Sequence, residues 1–370
     1  MKKIICSILI VAMFLSLTST AFASDTQISE LKETVSQNAI KQVSEMVPVL
    51  CENLSSTCYL GEALRAYLLT KEGTIEPKEY DVYPVLSGGN IVALAQVAEI
   101  DGTENVSCIT GYAAELQAYY AQNQNAKIAI IYAHDGIYLL TENQLPTKIY
   151  SAEQATLGEI GDVARRSYQV DVGKITAKIP FSPRTQNSRA IQSVILDVVP
   201  VANDNVTCSR EPSCNSVGLC WAACMAMITN YYRGTSYNTN TVHAARGCMS
   251  YEKTANDYKQ ALILFGMYVN GPYYSFTYSD AVTLAENNRL GFMRIYRIYS
   301  ENGITRNDGH MIVPCGYYYN PDSSSTKYFC FKDPNHNGTG MQAIPASGLL
   351  SVTTSGRVYQ FDYYLDCSWF

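Results

Sequence analysis

The chain has 370 residues, 47 % of them apolar, with 27 basic and 33 acidic side chains and a formal net charge of −6. Such a length exceeds one compact core and leads us to expect roughly two domains. The acidic balance argues against a nucleic-acid partner, which needs a basic face to neutralise phosphates.

Residues 1–23 read as an export signal rather than as part of a fold. Lys2 and Lys3 make a basic start, Ile4 to Leu17 is apolar, and Ala21-Phe22-Ala23 is a small-residue cleavage site. No later stretch is apolar for long enough to span a bilayer, so the product is expected to be secreted, extracellular and without stable membrane association. Residues 24–162 are expected to form a small α+β prodomain. In it, Ile28, Leu31, Val35, Ile40, Val43 and Met46 recur at near-helical intervals, which predicts an amphipathic helix over 26–50. Tyr83–Leu86 and Ile91–Ala95 flank Ser87-Gly88-Gly89-Asn90 as a hairpin, and a short helix is predicted over Ala113–Gln122. A second hairpin pairs Lys127–Tyr132 with Gly136–Leu140 across a turn that holds His134. No chemical constellation stands out in this half.

Residues 163–192 are basic and turn-rich, with Arg165-Arg166, Pro183-Arg184 and Ser188-Arg189, and read as a linker open to an activating cut. Beyond it, over 193–370, Ile195–Pro200 is a predicted strand, and Trp221–Tyr232 a predicted helix closed by Gly234. Thr254 with Asp257 resembles a capping box opening a helix to about Leu264, and Ser279-Asp280 is expected to cap another to Asn288. Strands are predicted at Phe292–Tyr299, His310–Tyr319, Tyr328–Lys332 and Val358–Leu365. Helices first and an antiparallel sheet afterwards is an α+β order.

The reactive residues sit at the joints of that order. Cys220 stands where a loop turns into the predicted helix; there the positive end of the macrodipole and unsatisfied N–H groups favour thiolate, the nucleophilic form. His310 opens an apolar strand that would hold its ring rigidly as general base and acid. Asp333 ends the next strand, from which a carboxylate reaches the distal ring nitrogen and fixes the tautomer; Asn335, two residues on, is the alternative. Nucleophile, base and orienting group, in this order, are the components of nucleophilic catalysis. Cys224 lies one helical turn deeper and reads as a disulfide partner or a packed thiol. His243 and His336 read as exposed loop histidines, with His336 close enough in sequence to Asp333 to line the site.

Eleven of the 12 cysteines lie beyond the export signal, a number that in an oxidising compartment points to several disulfides of unreadable connectivity. Cys208, Cys214, Cys220 and Cys224 lack the short paired spacing of a structural zinc site, and no metal or other cofactor is expected.

Gly218-Leu219-Cys220-Trp221-Ala222, Gly309-His310-Met311-Ile312-Val313 and Asp333-Pro334 resemble the nucleophile motif, histidine strand and orienting acid of papain-like cysteine peptidases. The likeness is to the compact bacterial type, similar to staphopains and bacteriocin-leader peptidases, and covers the C-terminal half only. It implies an α+β fold with a papain-like two-lobed catalytic domain, a helical lobe plus an antiparallel sheet, preceded by the smaller prodomain. It further implies a secreted endopeptidase made as a zymogen, acting through a thioester on Cys220. Its substrate would be protein or peptide, and the prodomain would be an intramolecular partner. The sequence departs from the pattern six residues before the nucleophile, where such enzymes carry a Gln that donates to the oxyanion. Cys214 stands there, and Asn215 is the expected replacement beside the Cys220 N–H. Two other readings use the same residues: a transglutaminase-like acyltransferase, and a secreted binding or adhesion module with a degenerate site.

Overall fold

Strand outweighs helix among the described residues, 47 % against 26 %, and strands from both halves meet in one sheet. The computed structural model describes residues 35–70, 73–78, 80–100, 103–123, 126–133, 136–141, 146–151, 173–175, 177–183, 191–203, 219–246, 254–301, 304–321, 326–336, 338–354 and 357–369. The predicted export signal, His134, Asn215 and most of the predicted linker lie outside the described residues.

The first half contributes β1 (Cys58–Gly61), β2 (Ala66–Leu69), β3 (Ile75–Pro77), β4 (Asp81–Ser87), β5 (Asn90–Ile100), β6 (Thr103–Ile109), β7 (Lys127–Ala133), β8 (Gly136–Thr141) and β9 (Thr147–Ser151). Next come β10 (Gly173–Lys174), β11 (Ala177–Phe181) and β12 (Gln192–Ile195). The second half adds β13 (Tyr268–Tyr273), β14 (Leu290–Glu301), β15 (Ile304–Tyr319), β16 (Lys327–Lys332), β17 (Thr339–Ile344), β18 (Ser351–Thr354) and β19 (Arg357–Ser368). A 13-stranded sheet runs β11-β1-β4-β5-β6-β17-β16-β15-β14-β19-β13, with β12 beside β15 and β18 beside β19. A 6-stranded sheet runs β3-β2-β7-β8-β9, with β10 on β7.

This architecture corrects the expected α+β, papain-like two-lobed arrangement of a helical lobe plus an antiparallel sheet. The physical reason is the ladder between β6 and β17, where Ile109, Cys108 and Ser107 face Gly340, Met341 and Gln342. That ladder fuses the strands of the two halves into one hydrogen-bonded surface. The helices are spread over this surface instead of gathering as a lobe. The Gln37–Leu50 helix lies against β5, β6 and β17, the Cys220–Arg233 helix against β14 and β15, and the Tyr278–Glu286 helix against β12, β14, β15 and β16. Part of the predicted linker is itself a strand, since β11 pairs with β1, Phe181 opposite Cys58.

Side-chain alternation explains how β15 serves two cores at once. Met311, Val313 and Cys315 join the cluster beneath the Cys220–Arg233 helix, while Ile312 joins the one beneath Tyr278–Glu286. A register shift between Pro314 and Gly316 then reverses the parity, so that Tyr318 faces the first cluster and Tyr317 the second. The Cys220–Arg233 helix is buried continuously from Cys220 to Thr229 and ends at Gly234 in the left-handed region, φ 60°. Its apolar character all round is that of a core helix. Tyr278–Glu286 begins earlier than predicted: Thr277, not Ser279, is the cap, because the Asp280 carboxylate returns to the Thr277 N–H at 2.7 Å.

A Cβ built on Gly340 falls 2.5 Å from the Phe331 ring, so only glycine fits β17 against β16 here. Gly340→Ala is expected to lower the unfolding free energy by about 1–3 kcal/mol. Urea titration checks this as a lower midpoint with an unchanged slope.

Candidate active site

Three elements deliver three side chains to one point. Cys220 is the first residue of its helix, and the N–H groups of Ala222 and Ala223 both turn back to Leu219 O, at 2.8 and 3.0 Å. Helix geometry leaves the earlier N–H groups of the first turn without intrahelical acceptors. His310 lies within β15 opposite Ile295 of β14, with its ring against Tyr359 of β19 at a centroid distance of 5.7 Å. β16 runs beside β15 and stops at Lys332, which sets Asp333 next to the histidine.

His310 Nε2 is 2.9 Å from Asp333 Oδ1. The Cys220 thiol acts on the same ring, favouring its protonated form, and with Nε2 engaged by the carboxylate the nitrogen left for a thiol is Nδ1. Asp333 Oδ1 also accepts the Asn335 N–H at 2.7 Å. The Thr354 hydroxyl donates to Oδ2, and His336 Nε2 stands 3.7 Å from that oxygen. All three members are buried: Cys220 is 6 % exposed, His310 4 % and Asp333 2 %.

Burial opposes charge on Asp333, yet His310, His336 and the hydrogen bonds from His310 and Thr354 outweigh it and hold the carboxyl well below its ordinary range. Burial also disfavours a charged His310. Asp333, through charge and hydrogen bond, and then Cys220 push the imidazole the other way, up to about 10. Cys224 is different. Burial, followed by the nearby Cys220 and Asp333, pushes its thiol well up, so it stays protonated.

The structure therefore brings Cys220, His310 and Asp333 together. Asn335 serves the carboxylate through its backbone, while its side-chain oxygen accepts from Asn203 Nδ2 at 3.1 Å. The two histidines expected on exposed loops are buried. His243 sits in the Thr239–Arg246 helix with its ring 6.3 Å from Trp221, and His336 is stacked on Tyr112 at 6.0 Å. Cys224 is a packed free thiol, as are seven other cysteines of the described residues, none of them in a disulfide. Asn215, Cys208 and Cys214 lie outside the described residues. Sequence reasoning missed Thr354, Tyr359 and Tyr112. A Thr-Thr pair in a four-residue strand carries no local signal for a partner 21 positions away.

Among the described residues no group of three or more His, Cys, Asp and Glu side chains is arranged to hold a metal ion, and no helix is long and apolar enough to cross a membrane. No protein-family model matches the chain, and no curated protein matches it in sequence.

His310 holds its proton to about 10 when folded, against 6.5 for an unperturbed imidazole. Its contribution to stability is therefore complete below pH 6.5 and is lost as pH rises toward 10. Asp333 has the opposite sign: its contribution is present above 3.8 and is lost as the medium becomes more acidic. We expect urea-derived stability to fall between pH 6.5 and 9, and His310→Gln to flatten that slope. Above pH 9 the buried thiols, such as Cys315 at about 12, add a loss of the same sign, so the comparison belongs below it.

Proposed function

We propose that the chain is an exported thiol peptidase that hydrolyses peptide bonds through Cys220, His310 and Asp333. One observation carries the reading: a buried imidazole has a buried carboxylate 2.9 Å from its Nε2 and is acted on by the thiol of a residue that starts a helix. Such an arrangement supports a thiolate–imidazolium pair held in one orientation. Residues 1–23 are the proposed route of export.

In the proposed mechanism, Cys220 Sγ attacks the peptide carbonyl carbon. A C–S bond forms and the carbonyl electron pair moves to oxygen. The Cys220 N–H at the helix start supports this oxyanion, with the Asn215 amide as the proposed second donor. The pair then returns to carbon as the C–N bond breaks, and the imidazolium at Nδ1 gives its proton to the leaving amine. His310 next deprotonates a water molecule, which attacks the thioester; the acid leaves and the thiolate is restored. Asp333 keeps Nε2–H engaged and the ring aligned throughout. The order of these groups is the papain-like one, carried here on a continuous sheet.

An epoxysuccinyl peptide tests the nucleophile directly: Sγ opens the ring, a C–S bond replaces a C–O bond, and the alkoxide takes the His310 proton. The intact chain is expected to carry a single adduct on Cys220, formed at least about 10³-fold more slowly in His310→Ala and absent in Cys220→Ala. Incubation with an unfolded protein should release new amino termini. An adduct on Cys224 would move the nucleophile, and a folded chain without any adduct would sink the reading. Incorporation of added amines without cleavage would replace hydrolysis by acyl transfer.

A further inference from the structure

Asp333 draws its supports from both halves of the chain. Thr354, which donates to Oδ2, belongs to the four-residue strand β18. That strand is fixed from the side by β17, where Gln342 Nε2 donates to Ser351 O at 2.6 Å and Gln342 Oε1 accepts from Thr353 N at 2.9 Å. It is also fixed by β6 of the N-terminal half. Asn105 Nδ2 donates to Ser351 Oγ at 3.2 Å, and the Ser107 hydroxyl lies 3.3 Å from Thr353 O and 2.9 Å from Gln96 Oε1.

The second support, His336, is held in the same way. Tyr112 stacks on its ring with planes 29° apart, and a Cβ on Gly111 would come within 3.2 Å of the His336 Cβ. Thr110 N donates to Thr339 O at 3.2 Å, and Thr110 Oγ1 accepts from Thr339 N at 3.1 Å, closing the segment that follows the carboxylate. Behind Tyr112, its hydroxyl meets that of Tyr132, to which Lys78 Nζ donates at 3.2 Å. Both neighbours of the Asp333 Oδ2 edge thus have backing from residues 105–112.

We propose that Ser107 and Tyr112 are positioning residues for Asp333, so that the reactive constellation is completed only by the N-terminal half of the same chain. The proposal rests on the thiol-peptidase reading for its purpose, though its test needs no turnover. It assigns the N-terminal half a lasting place in the catalytic unit, in contrast to the removable cover expected from the sequence. A half that supports the carboxylate is needed whenever the site works.

His310 reports on the carboxylate beside it. The groups facing its ring are Asp333, Cys220, Tyr359 and, at longer range, His336. The chain has 4 histidines, so ring-labelled histidine gives four titrating signals by nuclear magnetic resonance on the full chain. The wild-type His310 signal is expected to titrate near 10. In Ser107→Ala, Tyr112→Leu and Thr354→Val it should move down by about one unit or more, with alkylation of Cys220 by iodoacetamide at pH 7 slowed roughly tenfold. Thr354→Ser restores the donor and should restore the titration. Leu69→Ala, a cavity in a separate cluster of the other sheet, should lower the thermal midpoint and leave the His310 signal in place.

If Tyr112→Leu does not fold, Ser107→Ala decides, because it removes one hydroxyl with little change of volume. A His310 titration unmoved by Ser107→Ala, in a chain that cleaves peptide, would overturn the positioning role alone. A shifted titration in a chain that never forms a Cys220 adduct would sink the peptidase reading and leave the positioning intact.

Discussion

A carboxylate with 2 % of its surface exposed makes a heavy demand on the fold around it. Removing such a charge from water costs several kcal/mol unless partners restore what solvation supplied. Asp333 meets the demand with an imidazole, a backbone N–H and a hydroxyl, and a second imidazole stands close by. These come from β15, from the turn after β16 and from β18, elements that touch only because the sheet has the order it has. The order of strands and the ionisation of one side chain are therefore a single problem. Changing which strand follows β16 would strand the charge.

The same interaction separates two thiols on one helix. Cys220 and Cys224 are one turn apart; Asp333 acts on Cys224, whereas Cys220 acts on the His310 imidazole. A thiol without a cationic partner in a buried place is held protonated. The difference between the two sites thus lies in the histidine, which the carboxylate orients at 2.9 Å, more than in the sulfur itself. Tyr359 adds to this by closing the face of the ring.

Local signals were legible in the sequence, and non-local ones were not. The Cys220–Arg233 helix announced itself through a left-handed glycine at its end, and Thr254 through a carboxylate three residues on. Thr277 was missed as a cap because Ser279 and Asp280 offered a nearer pair. The order Cys, His, Asp was readable because Cys220 and Asp333 stand at element boundaries and His310 precedes an apolar run, although β15 starts at Ile304 and holds His310 in its interior rather than at its opening. The sheet was not. β17 and β18 are six and four residues long and largely buried on both faces, so they show little alternation. A strand pair such as β6 and β17 is specified by burial and register across the whole chain, with no local turn to announce it. Thr354 and Tyr112 were invisible for that reason, since their relevance exists only once the strands have met.

The hydrogen bonds that tie β6 to β18 span 246 positions. Closing so wide a loop costs chain entropy before any contact repays it, and folds dominated by such pairings form slowly. During synthesis Cys220 and His310 emerge well before Thr354, and they emerge without the strand that steadies the carboxylate. The basicity of His310 consequently arrives last, with the closing of the sheet. The surroundings of Cys220 and His310 are then complete only when the tertiary structure is, and that timing is written into the distance between Ser107 and Thr353.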